Sequence, residues 1–88
     1  MPLRLSAEGT RVVSEWRTKR CGAPDDDRLV IDVVRAVGNR EWQGRWKHVP
    51  DPADPDITII EPRPGLMVHV RLWEGDDPEE FTVVSIAG

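Results

Sequence analysis

Apolar residues recur at helical spacing in the first half of the chain. Positions 12, 13 and 16 share one helical face and predict a first helix over residues 6–21, with Ser6 as its N-cap. A wider stripe at positions 29, 30, 33, 34 and 37 predicts a second helix, which begins near Asp25 and ends at Gly38 and Asn39. Each helix therefore has one side suited to packing against a sheet.

Three stretches in the second half predict β-strands. Residues 57–60 are β-branched, residues 66–73 alternate between apolar and polar positions, and residues 81–86 combine an aromatic residue with β-branched ones. The segments between them, 61–65 and 74–78, contain proline, glycine and acidic residues and predict turns. Because turns this short join antiparallel neighbours, the three strands should form a meander.

A short alternating segment, Leu3-Arg4-Leu5, predicts one more strand before the first helix. The expected fold class is therefore α+β, in the order β-α-α-β-β-β, with two helices packed on one face of a four-stranded, mainly antiparallel sheet. The residues expected to be among the most buried are Trp16, Leu29, Val33, Val37, Val68, Val70 and Val83.

The segment between the second helix and the meander has a weaker pattern. Residues 40–46 could continue as a short helix, since Trp42 and Trp46 are four positions apart. Residues 50–56 contain three prolines, which disfavour both helix and ladder hydrogen bonds, so we expect a stiff loop there.

Size excludes several functional classes. The 88 residues predict one domain, 1–88, and a domain this small buries only about 60–65% of its unfolded surface, so we expect neither a deep substrate cavity nor a cofactor. No apolar run approaches the roughly 18 residues that span a bilayer, and no signal-peptide pattern opens the chain. A single cysteine forms no internal disulfide. We therefore expect a soluble cytoplasmic protein without a membrane partner.

Charge is distributed unevenly along the chain. Residues 1–50 hold ten of the twelve Lys and Arg against seven acidic residues, whereas residues 51–88 hold two against nine. Such asymmetry can indicate two surfaces with different partners. The simpler interpretation is that the two halves are solvated by different charges.

One candidate binding segment is residues 40–48, which interleaves aromatic and basic side chains. Indole rings stack on bases, cations neutralise phosphates, and both residue types are frequent at protein–protein hot spots. The alternative is that both tryptophans fill a small core while the cations extend outward. The candidate contact residues are Arg40, Trp42, Arg45, Trp46 and Lys47.

A second candidate surface lies on the strand predicted over residues 66–73. If the helices cover Val68, then His69, Arg71 and Trp73 point to the opposite, open face of the sheet, with Arg63 nearby in sequence. Such a face could hold a phosphate or a ribose. The alternative is a solvated face with cross-strand ion pairs, which are common on open sheets.

Other chemistries find little support in the sequence. Cys21 follows two cations, which favour a thiolate, but it lies at a predicted helix C-terminus, which disfavours it. Two histidines and one cysteine have no metal-ligand spacing, so no metal site is expected. The acidic clusters lack the calcium-loop pattern, and there is no phosphate-binding glycine loop.

Three stretches carry a family resemblance. The opening Leu3 to Gly9, the segment Pro64 to Leu72 and the closing segment Phe81 to Ile86 resemble the first, third and last strand regions of the RelE/ParE toxin superfamily of bacterial toxin–antitoxin systems. The resemblance covers nearly the whole chain in pattern. It implies an α+β fold of the predicted order, an antitoxin-like peptide as partner and a cellular target.

The resemblance also implies how an active member would cleave RNA. Ribosome-dependent members use a basic sheet face with an arginine early in the third strand and a basic or aromatic C-terminus. Here Val68 occupies that strand position and the chain closes on Ile86-Ala87-Gly88. Acid–base candidates are His69, Arg71 and Glu61, and we expect poor or absent mRNA cleavage because no further base completes the set.

Three functions from different classes remain open at this point. The first is a RelE/ParE-like toxin homologue that acts by binding an antitoxin and a target. The second is a non-catalytic protein-interaction module, and the third is a small RNA-binding domain that uses residues 40–48. Partners would then be a protein, RNA or the ribosome, and a homodimer is compatible with each.

Overall fold

The computed structural model describes residues 3–19, 24–72 and 80–87. Its two helices are α1, Ala7–Lys19, and α2, Pro24–Gly38. Ser6 caps α1 as predicted, because its hydroxyl accepts a hydrogen bond from the backbone N–H of Gly9 at 3.1 Å. Proline suits the first position of α2, where its missing N–H is not needed.

The end of α2 is fixed by the backbone of Arg40. The Glu41 N–H donates to the carbonyl of Ala36 at 2.8 Å, and the Arg40 N–H donates to that of Val37 at 3.1 Å. This Schellman arrangement requires a left-handed residue, and Arg40 has a φ of 59°. The predicted helix end at Gly38 and Asn39 is confirmed, and the possible helix over residues 40–46 is wrong.

The sheet has five strands among the described residues: β1 Arg4–Leu5, β2 Lys47–Pro50, β3 Ile57–Arg63, β4 Leu66–Leu72 and β5 Glu80–Ala87. They lie in the order β1-β5-β4-β3-β2. β1 pairs in parallel with β5, and the other pairs are antiparallel, so the α+β class and the meander are confirmed.

The strand β2 was not predicted, and it makes the sheet larger than expected. Lys47 pairs with Glu61, and Pro50 pairs with Thr58, so β2 forms one edge of the sheet. All four of its residues are exposed. The loop predicted over residues 50–56 begins one residue later, because Pro50 belongs to β2 and the loop over 51–56 joins β2 to β3.

The core lies between the two helices and one face of the sheet. Val68 and Val70 of β4 are fully buried, as are Val33 and Val37 of α2. The predicted burial of Trp16 and Val83 is also confirmed, whereas Leu29 is only partly buried against the core. Alternation along β4 thus correctly predicted which of its faces the helices cover.

Helix α1 approaches β5 closely at Gly9. A Cβ atom built on Gly9 would lie 2.9 Å from the backbone nitrogen of Val83 and 2.7 Å from Cδ1 of Leu5. The glycine that weakens the helix in isolation therefore permits the contact between helix and sheet. No helix in the described part of the chain is both long and apolar enough to cross a membrane.

Candidate functional site

The helices leave the opposite face of the sheet uncovered. In an antiparallel ladder, the side chains of directly paired residues project to the same side of the sheet. The register between strands therefore identifies which residues lie on this uncovered face. We call it the open face and define it by the following residues: Lys47, Val49, Ile57, Ile59, Glu61, Met67, His69, Arg71, Thr82, Ser85 and Ala87. Ile57, which pairs with Arg71, is buried at 8% exposure even on this face.

An open depression of about 270 Å³ lies on this face beside the edge strand β2. Val49, Ile59 and Met67 give it an apolar lining, and Lys47 and Glu61 supply its charged groups. Its volume lies just below the roughly 300–1,000 Å³ of pockets that enclose whole ligands. The depression therefore suits a single side chain of a partner better than a cofactor.

His69 lies in the centre of the open face, as the alternation predicted. It is partly buried, and its Nδ1 atom is buried without a hydrogen-bond partner. The buried Nδ1 cannot reach a ligand, so any contact of this ring with a substrate would be made through Nε2 alone.

Arg71 lies one position further along the same face of β4. Its guanidinium donates a hydrogen bond to the Asp54 carboxylate in the loop before β3, at 3.2 Å. Both side chains are substantially exposed, at 46% and 34%, so the pair can exchange with solvent or with a partner. The sequence did not indicate Asp54 as the partner of Arg71.

Arg63 does not belong to the open face, which corrects the expectation that it joins His69 and Arg71. The register of β3 shifts between Ile60 and Arg63, so Arg63 pairs with the core residue Leu66. Its Nε and Nη2 atoms donate to the two oxygens of Asp26, at 2.7 and 2.8 Å. This hydrogen bonding raises the pKa of Arg63. The residue holds the β3–β4 hairpin to α2.

Glu61 does reach the open face, where it lines the depression. It pairs across strands with Lys47 and lies two positions beyond Ile59, whose partner on β4 is His69. Among the described residues, no hydrogen bond joins Glu61 to His69 or to Arg71. The three acid–base candidates therefore share a surface without forming a connected catalytic group.

The charges of the open face nearly balance. Lys47 lies opposite Glu61, and Arg71 is bound by Asp54. Arg4 and Glu80, at the far end of the sheet, approach within 3.9 Å. A surface that binds RNA neutralises phosphates with cations that are not already matched by carboxylates. This face combines mixed charge with an apolar depression beside β2, and such a combination is found at protein-binding surfaces.

The candidate segment over residues 40–48 is divided between core and surface. Trp42 is 7% exposed and belongs to the core, which agrees with the alternative that the tryptophans fill the core and not with its role as a contact residue. The ring of His48 meets it edge-on, with centroids 4.7 Å apart. A thin core between two helices and a small sheet recruits large side chains, which explains the burial.

Trp46 is partly buried, and the guanidinium of Arg45 covers its ring at 4.4 Å from the centroid. This cation–π contact occupies one face of the indole, which leaves less of the ring available to stack on a base. Arg40, Arg45 and Lys47 are exposed, although Arg40 is also required at the end of α2.

Two residues named from the sequence lie outside the described part of the chain. These are Trp73, expected on the open face, and Cys21, considered as a reactive thiol. Within residues 3–19, 24–72 and 80–87, no cluster of three metal-ligating side chains occurs.

Comparisons with protein-family models, with curated proteins and with solved structures found no significant match.

Proposed function

We propose that this chain is a RelE/ParE-like toxin homologue that acts by binding other proteins through its open face, without cleaving mRNA. The observation that supports the proposal most strongly is the composition and geometry of the open face. It combines an apolar depression and nearly balanced charges with acid–base candidates that are not connected to one another.

The element order supports the family part of the proposal. A short first strand, two helices and the meander of β3, β4 and β5 agree with the order that the resemblance implies, to which the edge strand β2 is an addition. Both helices cover the same side, so neither helix covers the other side of the sheet, which a partner could contact.

Four features support the absence of RNA cleavage. General acid–base catalysis requires an acceptor and a donor within hydrogen-bond reach of the reacting atoms. The Nδ1 atom of His69 is buried without a hydrogen-bond partner, and Arg71 is bound by Asp54. Arg63 is held by Asp26 on the other side of the sheet. Glu61 lines the depression, but among the described residues no hydrogen bond joins it to His69 or Arg71, so no connected acid–base pair is formed.

The depression supports a protein as the partner. Its apolar lining, flanked by the charges of Lys47 and Glu61, resembles an anchor site that receives one apolar side chain within a polar rim. RNA would instead require exposed ring faces, and Trp42 is buried while Trp46 is covered by Arg45.

Selection from a displayed library of random linear peptides tests the proposal. We expect selected peptides to carry an apolar anchor residue and to lose affinity for Met67→Glu, because a carboxylate would enter the apolar depression. The dissociation constant of a synthetic selected peptide, measured by fluorescence anisotropy, should rise by at least about tenfold.

The matched control is Glu15→Lys on the exposed side of α1, which should change that dissociation constant by less than about twofold. Circular dichroism of both variants establishes that they are folded. Peptides that bind Met67→Glu as tightly as the unaltered chain would show that the open face is not the binding surface.

A further inference from the structure

The outer edge of β2 carries backbone groups that no strand among the described residues uses. The Asp51 N–H donates to the Ile57 carbonyl at 2.9 Å, which shows that odd-numbered residues of this segment direct their backbone groups toward β3. The N–H and carbonyl of His48 therefore point away from the sheet. Pro50 also lies at an outward position, where its missing N–H costs the sheet nothing.

The hydrogen-bonding groups of this edge complement those of a second copy. In an antiparallel pair centred on His48, the two His48 residues exchange N–H and carbonyl groups, and Trp46 lies opposite Pro50. Pro50 offers only a carbonyl, which can accept from the partner's Trp46 N–H. Pro50 has no N–H to donate to the partner's Trp46 carbonyl. That carbonyl already lies 3.3 Å from Nδ1 of the His48 ring in its own chain.

We propose that two copies of this chain associate through β2, antiparallel and centred on His48, to form one continuous sheet. The inference does not depend on the proposed function, since it rests on the outward backbone groups of β2, although the side chains of Lys47 and Val49 also belong to the open face. A two-fold axis normal to the sheet relates the copies, so both open faces lie on the same side.

Charge and apolar contacts support the same register. Lys47 becomes the cross-strand neighbour of the partner's Val49 and lies diagonally across from the partner's Asp51. Val49 is 55% exposed, more than the other large exposed apolar residue in the described part of the chain, Val84 at 38%. Pairing would cover Val49 and place a carboxylate near Lys47.

The dimer should be weak, because β2 contains only four residues. Interfaces of this size fall in the transient class. Its functional consequence is bivalency: two adjacent depressions would engage a partner with two anchors more tightly than either alone.

Sedimentation velocity from about 10 µM to 1 mM tests the inference, since this range covers weak transient dimers. We expect a concentration-dependent shift from monomer to dimer. Val49→Lys should raise the dimer dissociation constant by at least about tenfold, because it places two lysines side by side across the new pair. The same substitution at Val84, on an inner strand, should leave dimerisation unchanged.

Amide resonances of the unaltered chain provide a second test that does not depend on how the variants fold. With rising concentration, the His48 amide should shift and exchange more slowly with solvent, whereas the Val49 amide, which faces β3, should be protected throughout. A chain that remains monomeric at 1 mM, a dimer that Val49→Lys does not weaken, or a His48 amide insensitive to concentration would each overturn the inference.

Discussion

The two faces of the sheet differ in how deeply their side chains are buried and in how polar they are. On the face under the helices, Ile60, Leu66, Val68, Val70 and Val83 are completely buried, and packing alone accounts for each. On the open face, Ile59, Met67 and His69 are only partly buried, and the charged residues Lys47, Glu61 and Arg71 lie on the same face. Stability should therefore depend on the first face and binding on the second.

The largest expected effect compares two adjacent isoleucines on β3. Ile60→Ala removes a fully buried side chain and should lower the free energy of unfolding by about 2–5 kcal/mol. Ile59→Ala alters the open face and should cost less than half as much. Chemical denaturation of both variants measures the difference. Equal losses would mean that the two faces are equally important for stability.

The next prediction concerns the contact between α1 and the sheet. Gly9→Ala should destabilise the fold by about 1–3 kcal/mol, because the new methyl group would press against the backbone of β5. Gly44→Ala is the matched control, since nothing lies within 4 Å of its Cβ position. Thermal unfolding of the two variants should separate them clearly, and a Gly9→Ala variant as stable as the control would contradict the close approach.

The two arginine–aspartate pairs provide a smaller contrast. Asp26→Asn removes a two-point contact to Arg63 and should lower Tm by several degrees, whereas Asp54→Asn removes an exposed contact to Arg71 worth about 0–1 kcal/mol. Because the pKa of Arg63 is raised, the arginine's contribution to its pair is present at neutral and moderately alkaline pH. It is lost only as pH rises above the ordinary arginine range.

Differential scanning fluorimetry at pH 7 and pH 9 measures both variants. We expect the Asp26→Asn deficit to be similar at the two values. Equal deficits for Asp26→Asn and Asp54→Asn would show that the geometry of the Asp26 pair adds no stability.

The smallest expected effect is on RNA. Fluorescence anisotropy with a single-stranded oligouridylate should show no binding at 50 mM salt, where contacts to phosphate are strongest. Binding that weakens steeply with added salt and is lost in Arg45→Ala would instead assign a nucleic-acid role to residues 40–48.

The helices and strands that were predicted correctly are those whose sequences place apolar residues at regular intervals. Alternation over residues 66–72 predicted both the strand and its buried face, and the stripe ending at Val37 predicted α2. The strand β2 escaped prediction because a short, exposed segment with lysine and proline has no periodicity of its own. It exists because β3 offers it a hydrogen-bonding edge.

Parts of the candidate site could not be predicted for a related reason. His69 and Arg71 follow from strand alternation, whereas the position of Arg63 depends on a local register shift in β3. The core position of Trp42 depends on how the chain leaves α2 through the left-handed Arg40. Such three-dimensional details have no signature in the spacing of residue types.

Mapping of transcript ends after induced expression in a bacterium tests the central claim most directly. The account predicts the same ends in induced and uninduced cells, and the same result for His69→Ala, because the open face binds without cleaving RNA. Codon-specific mRNA cuts that appear on induction and disappear in His69→Ala would show that the open face is a catalytic site.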